Sequence, residues 1–496
     1  MDAEFQNLVL MAPGHTRNTR APRRTSRTSP LRTLTTLAFA FAALPGASAL
    51  APPPTLAQAD AFHVHYGAGK LGLGLVVPAV AAAGTPLAVV QRPSEKWAAL
   101  EGPFDLRVNG DVVVEGVARV DALDASPPPA VSFVLDDDPA HLAALAGRAT
   151  SFSCSLGGAM ADEMAAALGS LPVRDDPPVL YCAENDHDAV AALRETLAGR
   201  ARVVDCVVDR VCTAADVSAS AVDVAAEPWG GSICVLEPGL DNSPFDDRAT
   251  LAASAEHAAF LSKRKASLVN GMHTVLSFLT LQEVGPDGDA TLLKYSDMRR
   301  SNQRLVEAWR TVRVAELLEE FGADRVNAWG PGPGPPVQAW CALLDFADEV
   351  LVERFSKVDD RVKRVLGGGV EDRFETRLMP AGDWVLKHGA AHREFFLFAA
   401  KRDRERARAR RRARPAFVFA ESDRIEPPRV SPRMALRRAR LACVELLIEA
   451  RPFCSKEQMI LHPPKKASKR RRAASAMQRW WADKTNGDEP APAYSR

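Results

Sequence analysis

Three side chains that can take part in proton transfer and hydrogen bonding lie within one short stretch of the chain: Lys265, Asn270 and His273. Each residue of an α-helix advances about 100° around the axis, so a helix would carry all three on one arc. A neutral lysine amine accepts a proton, an asparagine amide donates hydrogen bonds, and an imidazole does either. The stretch is therefore a candidate acid–base site whose three side chains point in one direction. The alternative is an ordinary polar helix face.

A glycine-rich loop much earlier in the chain, Gly67-Ala-Gly-Lys-Leu-Gly-Leu-Gly74, supports the acid–base interpretation. A strand pattern from Phe62 to Tyr66 precedes the loop, an apolar helix from Leu75 to Ala83 follows it, and Leu87 to Val90 forms a second strand. This order is the context that a Gly-x-Gly-x-x-Gly dinucleotide loop requires. The start of the helix offers free N–H groups and a positive dipole end to phosphates.

The glycines of this loop have separate tasks in dinucleotide binding. Gly67 permits a tight turn, Gly69 lets the backbone approach a pyrophosphate, and Gly72 lets the helix pack closely on the strand. A later strand pattern ends at Cys154 and leads into a segment that can pass beside the nicotinamide. The predicted cofactor contacts are Gly67, Gly69, Lys70, Leu71, Gly72, Gln91, Arg92 and Ser155.

The end of the second strand bears on the choice between NAD and NADP. An acidic residue normally binds the ribose of NAD there, but this chain has Gln91 and Arg92. No carboxylate repels a 2′-phosphate, and Arg92 can pair with one. The sequence leans slightly towards NADP; NAD stays open, because Arg92 can equally stack on adenine or face solvent.

No metal centre is predicted. His63 and His65 alternate along the first strand and are expected to be packed or capped histidines rather than a metal pair. Eight cysteines are scattered without a Cys-x-x-Cys pair, which argues against a disulfide scaffold or a zinc knuckle in a chain of 496 residues.

Strand patterns alternate with helical stretches up to about residue 245, and the pattern then becomes helical. We predict an α/β fold, with an N-terminal Rossmann-type doubly wound sheet followed by a mostly α-helical C-terminal domain. Ligands of such sheets bind beyond the carboxyl ends of the strands, where Asn185 would lie. Further strands are predicted at 131–135, 150–154, 178–182 and 201–210, and helical runs at 249–281, 291–321, 337–355 and 434–448.

The predicted organisation is a targeting leader at 1–60, a Rossmann domain at 61–246, a helical substrate-binding domain at 247–460 and a basic tail at 461–496. A basic insertion near 401–430 and the tail are expected to be solvated; nucleic-acid contacts or import signals are the alternatives. The formal net charge of +1 does not favour binding of the whole chain to a polyanion. A small-molecule substrate and a monomer are favoured.

The leader has a basic region, a short apolar run from Leu37 to Leu44 and a small-residue site near Ala47 to Ala49. This order is typical of a signal peptide, and the boundary also resembles plastid-targeting leaders. The apolar run is too short to span a bilayer. A disordered leader or a mispredicted start, which would leave the protein cytoplasmic, is the alternative.

The chain resembles the mannitol dehydrogenase family of polyol-specific long-chain dehydrogenases, and within it the mannitol-1-phosphate 5-dehydrogenases. The resemblance covers roughly residues 61–400. Five blocks carry it: 67–74, Cys-Ala-Glu-Asn at 182–185, Val-Val-Asp-Arg at 207–210, Lys-x4-Asn-x2-His at 265–273 and a looser block running from Arg354 to Asp383.

The resemblance implies metal-independent hydride transfer between a nicotinamide and a sugar, here D-mannitol 1-phosphate and D-fructose 6-phosphate. Lys265 would be the general acid/base, with a pKa depressed by burial and by Lys263 and Arg264. Asn185 and Asn270 can donate hydrogen bonds to the developing alkoxide. By match to the family, the substrate contacts would be His273, Asp209 and Arg364, with Arg377 replacing a lysine displaced by an insertion from Gly367 to Phe374.

One departure from the family concerns the residues before Lys265. Members often carry a glutamate two or three positions earlier as a proton path, where this chain has Ser262, Lys263 and Arg264. Two alternatives therefore stay open: a dehydrogenase of an unphosphorylated polyol or hexuronate, and a nucleotide-binding regulatory protein without catalysis.

Overall fold

The computed structural model describes residues 62–120, 130–240, 243–330, 332–413, 431–456 and 460–461. The predicted leader, nearly all of the predicted tail and the second half of the predicted basic insertion lie outside the described residues. All described residues belong to one compact unit. None of the helices in these ranges combines the length and hydrophobicity needed to cross a bilayer.

The described part of the first half is built on one twelve-stranded sheet, ordered β12-β11-β8-β7-β6-β1-β2-β5-β4-β3-β10-β9. The strands are β1 (His63–Tyr66), β2 (Leu87–Gln91), β3 (Phe104–Val108), β4 (Asp111–Val120), β5 (Val131–Leu135), β6 (Ser151–Cys154), β7 (Val179–Cys182), β8 (Arg202–Asp209), β9 (Cys212–Val217), β10 (Ala221–Ala226), β11 (Ser232–Val235) and β12 (Ala249–Leu251).

The centre of the sheet is parallel. β1 pairs with β2 on one side and with β6 on the other, and β7 and β8 continue the parallel ladder beyond β6. Strands such as β5 are buried along their whole length because helices cover both faces of the sheet. The predicted Rossmann-type sheet is confirmed, and its strand order reverses at β1, where such sheets bind their ligands.

The antiparallel parts of the sheet were not predicted. β3 pairs with β4, β9 with β10 and β8 with β11 in antiparallel register. β4 is exposed at several positions and β9 is only partly buried, so neither shows the apolar run that marks a central strand. These strands widen the sheet beyond the strands predicted from the sequence.

The second half is mostly helical, as predicted. The α-helices of the described residues are α1 (Val77–Ala82), α2 (Glu95–Ala98), α3 (Pro139–Arg148), α4 (Met160–Leu168), α5 (His187–Thr196), α6 (Ala255–Arg264), α7 (Met272–Val284), α8 (Arg300–Phe321), α9 (Ala323–Trp329), α10 (Pro336–Asp348), α11 (Val362–Val365), α12 (Val370–Arg373), α13 (Met379–Lys387), α14 (Arg393–Ala413) and α15 (Pro432–Ala450). Short 3₁₀ turns occupy Gly157–Ala159, Tyr295–Asp297, Phe355–Lys357 and Arg451–Lys456.

Four helical segments of the described chain are π-helical: Gly72–Val76, Lys265–Gly271, Glu349–Arg354 and Phe374–Leu378. A π-turn closes i→i+5 hydrogen bonds and is rare, occurring mostly at functional sites. The second of these segments carries both Lys265 and Asn270. The α-helical spacing assumed from the sequence therefore does not apply between these two residues, whose relative direction is set by the wider π-turn.

The basic stretch that begins near residue 401 starts as part of α14. Arg402 Nη1 donates to Asp348 Oδ2 at 2.8 Å, and Asp403 accepts from the buried Arg310 at 2.8 Å. Asp348 ends α10 and Arg310 lies in α8, so α14 is tied to two neighbouring helices. In its described portion, this stretch belongs to the packed helical body.

Candidate active site

The glycine-rich loop leaves β1 at the carboxyl edge of the sheet. Gly67 has a φ of +104°, a conformation that side chains rarely adopt. A Cβ at Gly72 would lie 2.4 Å from both the Gly67 carbonyl oxygen and Ser155 Oγ, which no real Cβ approaches. These two glycines are therefore required by the turn and by close packing, as predicted from the sequence.

The loop fits a dinucleotide pyrophosphate. Its first helical hydrogen bond runs from Leu73 N to Gly69 O at 3.0 Å, so the amides immediately before Leu73 are those that a helix start leaves without an intrahelical partner. Gly69 and Lys70 are exposed, and Lys70 Nζ donates to the carbonyl of Thr213 at 2.7 Å. Free amides at a positive helix end are the groups that bind phosphate.

Gln91 and Arg92 occupy different positions relative to the loop. Gln91 Oε1 accepts a hydrogen bond from Ala68 N at 2.9 Å, so this side chain supports the loop from the end of β2. Arg92 is two-thirds exposed and lies 3.2 Å from Glu163 on α4. Neither residue offers a carboxylate to an adenosine ribose. Their predicted contacts with the cofactor stay predictions.

The two histidines of β1 are packed and capped, as predicted. His63 Nδ1 and Nε2 lie 2.8 and 2.7 Å from the hydroxyls of Ser151 and Ser153, and both imidazoles are fully buried. The described residues contain no group of three His, Cys, Asp or Glu side chains that could hold a metal ion. Burial lowers the pKa of His63 well below its ordinary value and that of His65 to about 4.

This burial makes stability depend on pH. In the unfolded chain these histidines bind protons near pH 6.5, whereas folded His65 does so only near pH 4. Between these values the unfolded state holds more protons, so the free energy of unfolding should fall by about 1.4 kcal/mol per pH unit for each buried histidine as the pH is lowered. Urea unfolding between pH 7.5 and 4.5 measures the slope. His65→Gln should reduce this slope by about 1.4 kcal/mol per pH unit, the contribution of one buried histidine. An equal slope in wild type and His65→Gln would contradict a lowered pKa for His65.

The segment after β6 is held by a carboxylate that sequence reasoning passed over. Glu184 Oε1 accepts hydrogen bonds from the amides of Leu156 and Gly157, the latter at 2.9 Å. Burial raises the pKa of Glu184 to about 7. Glu184 stands in the Cys-Ala-Glu-Asn block, so the sequence did mark its position. Its role was missed because its partners follow a different strand, β6. The acid fixes the segment that was predicted to pass beside a nicotinamide.

Lys265 reaches across to the sheet. Its Nζ donates to Asn185 Oδ1 at 2.5 Å, and Asn185 follows β7 at the same edge as the glycine loop. Burial lowers the pKa of Lys265, Asp209 opposes that shift, and Arg377 and Arg354 add to it. Lys263 and Arg264 were expected to lower this pKa as well, but the cations that act on it are Arg377 and Arg354, and Lys263 pairs with Glu316 and Glu320 at 3.6 and 3.3 Å. Lys265 and Asn185, both predicted as catalytic residues, are therefore in direct contact.

Asp209, whose charge acts on Lys265, belongs to a buried ionic cluster. Its two carboxylate oxygens accept from Arg354 Nη1 and Nη2 at 2.9 and 2.8 Å, and Arg354 Nε donates to Glu227 at 2.8 Å. The Arg354 guanidinium also lies 3.9 Å from the centre of the Trp229 ring. All three ionic side chains are buried. In this structure Asp209 is bound by Arg354, so a direct contact with substrate is a prediction that needs this pair to adjust.

His273 is oriented by an acid and an aromatic ring. Its Nε2 lies 3.2 Å from Asp360 Oδ2, and its ring stacks on Phe355 with centroids 4.2 Å apart. Arg364 also binds Asp360. Although burial raises the pKa of Asp360, hydrogen bonds from Arg364 and His273 bring it well below its ordinary range. The predicted residues His273 and Arg364 thus share one carboxylate, which sequence reasoning had given no role.

Arg377 approaches the same region from the π-helical segment Phe374–Leu378. Its Nη1 lies 3.1 Å from Thr274 Oγ1 and 3.4 Å from the carbonyl oxygen of Asn270. Burial, with a smaller effect from Arg373, lowers the pKa of Arg377 to about 10. This arginine therefore lies beside the helical segment that carries Lys265 and Asn270.

These contacts bring the glycine-rich loop, Ser155, Asn185 and Lys265 to one region. Gly67, Ser155 and Asn185 follow three adjacent parallel strands, β1, β6 and β7, at one edge of the sheet. Lys265 joins this edge through Asn185 and interacts electrostatically with Asp209 and Arg377. The glycine-rich loop and Lys265 thus lie at a common edge of the sheet.

Comparisons with known proteins give structural similarity alone. No family model and no curated protein matches the sequence. Among solved structures, Pseudomonas fluorescens mannitol 2-dehydrogenase in ternary complex with NAD and D-mannitol is 14% identical, with a TM-score of 0.44 over 88% of this chain and 94% of that one. A PanE/ApbA family ketopantoate reductase from Ralstonia eutropha is 12% identical, with a TM-score of 0.36 over 78% and 99%. NADP+-bound yersinopine dehydrogenase is 14% identical, with a TM-score of 0.35 over 85% and 99%. Similarity at these identities and TM-scores does not establish a substrate.

Proposed function

We propose that the protein is a nicotinamide-dependent oxidoreductase that uses Lys265 as its general acid and base. The observation that carries the proposal is the 2.5 Å contact between Lys265 Nζ and Asn185 Oδ1, at the sheet edge that also bears the glycine-rich loop. A base beside a dinucleotide loop is the minimum that hydride transfer from an alcohol requires, because the hydroxyl must lose its proton as the hydride leaves.

The side chains divide the work of alcohol oxidation. NAD or NADP bound at the loop would accept the hydride, or return it in the reverse direction. Neutral Lys265 takes the hydroxyl proton, and its lowered pKa favours the neutral amine. Because Asn185 Oδ1 is occupied by Lys265, the Asn185 amide is free to donate towards the developing alkoxide, together with Asn270. In ketone reduction, protonated Lys265 gives the proton back.

The substrate we propose is D-mannitol 1-phosphate, interconverted with D-fructose 6-phosphate. Arg377 supports a phosphate end: within the described ranges it forms no ion pair and it is partly buried, and the nearby Asp372, whose charge also acts on it, is paired with Arg373 at 3.3 Å. A guanidinium without an acid partner attracts an anionic group, and arginine binds phosphate through two hydrogen bonds. A hexuronate carboxylate would satisfy the same group, whereas a free polyol would leave it unused.

The test follows reduced-nicotinamide absorbance with NADH or NADPH and with fructose 6-phosphate, fructose or a hexuronate. We expect turnover with fructose 6-phosphate, and a KM for it that rises about 10- to 100-fold in Arg377→Met, because one charged contact contributes about 1.5–3 kcal/mol. With free fructose, Arg377→Met should change KM little. Turnover with fructose alone would move the substrate to the unphosphorylated class. Tight cofactor binding without turnover on any sugar would favour the regulatory alternative.

A further inference from the structure

An unbroken row of hydrogen-bonded side chains, all but the first of them fully buried, runs between β1 and β6 and ends at the glycine-rich loop. We call it the His–Ser ladder; its members are Ser151, His63, Ser153 and His65. Ser153 Oγ lies 2.7 Å from His63 Nε2 and 2.7 Å from His65 Nδ1. The last member, His65, places its Nε2 3.0 Å from the carbonyl oxygen of Gly67 and 3.1 Å from Ser155 Oγ.

The contact with the Gly67 carbonyl determines the tautomers of both histidines in the ladder. A carbonyl oxygen only accepts, so His65 Nε2 must carry a hydrogen, and a neutral His65 then accepts at Nδ1 from the Ser153 hydroxyl. Ser153 Oγ in turn accepts from His63 Nε2–H, which leaves His63 Nδ1 to accept from Ser151. This single assignment gives every polar atom of the ladder a partner with both imidazoles neutral, and burial keeps their pKa values low enough for it.

The ladder contacts the Gly67 carbonyl oxygen and Ser155 Oγ, the two atoms that would lie closest to a Cβ at Gly72. Ser155 Oγ also donates to the Gly67 carbonyl, at 3.1 Å, so that oxygen is held by two groups. The missing Cβ of Gly72 would lie within 2.7 Å of His65 Nε2 as well as against Gly67 and Ser155. The Gly67 carbonyl is therefore held towards the interior. A carbonyl dipole turned outward would repel a pyrophosphate that the neighbouring amides must attract.

We propose that the His–Ser ladder positions the dinucleotide loop, and that His65 sets cofactor affinity by holding the Gly67 carbonyl inward. His65 is a positioning residue: it touches the loop backbone and takes no part in the acid–base chemistry at Lys265. The identity of the ligand rests on the proposed function, whereas the control of loop geometry does not.

The first test measures binding of NADH and of ADP-ribose to the full chain by calorimetry. His65→Leu should raise Kd about tenfold, the effect of losing one hydrogen bond to the loop, whereas His65→Gln, which keeps an N–H donor, should stay close to wild type. At saturating cofactor, kcat should not change. Val64→Ala is the matched control: Val64 is fully buried on the same strand, so this variant loses stability and keeps its Kd. Equal Kd values in wild type and His65→Leu would overturn the proposal.

The second test needs no ligand. Amide hydrogen exchange of the peptide spanning residues 67–74 should accelerate in His65→Leu and in Ser153→Ala but not in Val64→Ala. Long-range ¹H–¹⁵N spectra should show the Nε2–H form of His63 and His65 at neutral pH. Unchanged exchange, or an Nδ1–H form of His65, would overturn the ladder whatever the cofactor measurements give. A wild-type chain that binds no dinucleotide but shows both signatures would overturn only the proposed function.

Discussion

Replacing Lys265 with methionine should lower kcat for the nicotinamide-dependent reaction by about 10²- to 10⁴-fold, the usual contribution of a positioned general acid or base. Methionine keeps the length and apolar stem of lysine but cannot exchange a proton. The Kd of the cofactor should stay within a factor of about two of wild type, because the loss concerns proton transfer rather than the loop. Steady-state rates at saturating cofactor and substrate, with Kd from calorimetry, measure both quantities.

Lys263→Met is the matched control for this prediction. Lys263 lies two residues earlier, and its ammonium is engaged by Glu316 and Glu320 rather than by the sheet. Its removal should leave kcat within a factor of about two of wild type, since Lys263 makes no polar contact with the sheet edge within the described residues and partly exposed pairs of this kind contribute little. A Lys265→Met protein with kcat close to wild type would remove Lys265 from the chemistry, whatever the substrate.

Replacing Arg354 with methionine should destabilise the protein by about 3–5 kcal/mol. Asp209 and Glu227 are buried and both bind this guanidinium, so its loss leaves two carboxylates without their counter-charge. Breaking a buried ion pair by removing one partner is far more costly than its formation is favourable, because the remaining charge stays desolvated. The free energy of unfolding in urea measures the loss.

Two further variants distinguish this effect from the loss of an ordinary surface charge. Arg325→Met removes an ion pair with Glu256 whose members are half exposed or more, and it should cost no more than about 1 kcal/mol. Adding Asp209→Asn and Glu227→Gln to Arg354→Met removes the stranded charges and should recover part of the stability. A loss in Arg354→Met no larger than that in Arg325→Met would contradict the clustered-charge account.

The parts of the fold that are local in sequence could be predicted. The glycine-rich loop lies between two buried strands and before an apolar helix, so adjacent residues define its geometry. Asn185 was placed at the ligand edge because parallel strands share that edge. Strands such as β9 escaped prediction because they are only partly buried and carry no continuous apolar run.

The organisation of the site around Lys265 could not be predicted in the same way. Arg354 and Asp209 are separated by 145 residues, and nothing in the spacing of either marks the other as its partner. The π-turn at Lys265–Gly271 changes the direction of Asn270 relative to Lys265, and sequence patterns assume the α-helical turn. Lys263 was expected to depress the pKa of Lys265 because it is adjacent in sequence, yet its side chain is directed to acids on α8.

The pH dependence of kcat for oxidation of the polyol, measured for wild type, Lys265→Met and Lys263→Met, tests the central claim most directly. Oxidation requires neutral Lys265, so the wild-type rate should rise with pH through a midpoint below the ordinary pKa of lysine. Lys263→Met should keep this rise, and the residual rate of Lys265→Met should lack it. The same ascending limb in Lys265→Met would show that another group accepts the proton, and would contradict the assignment of Lys265 as the base.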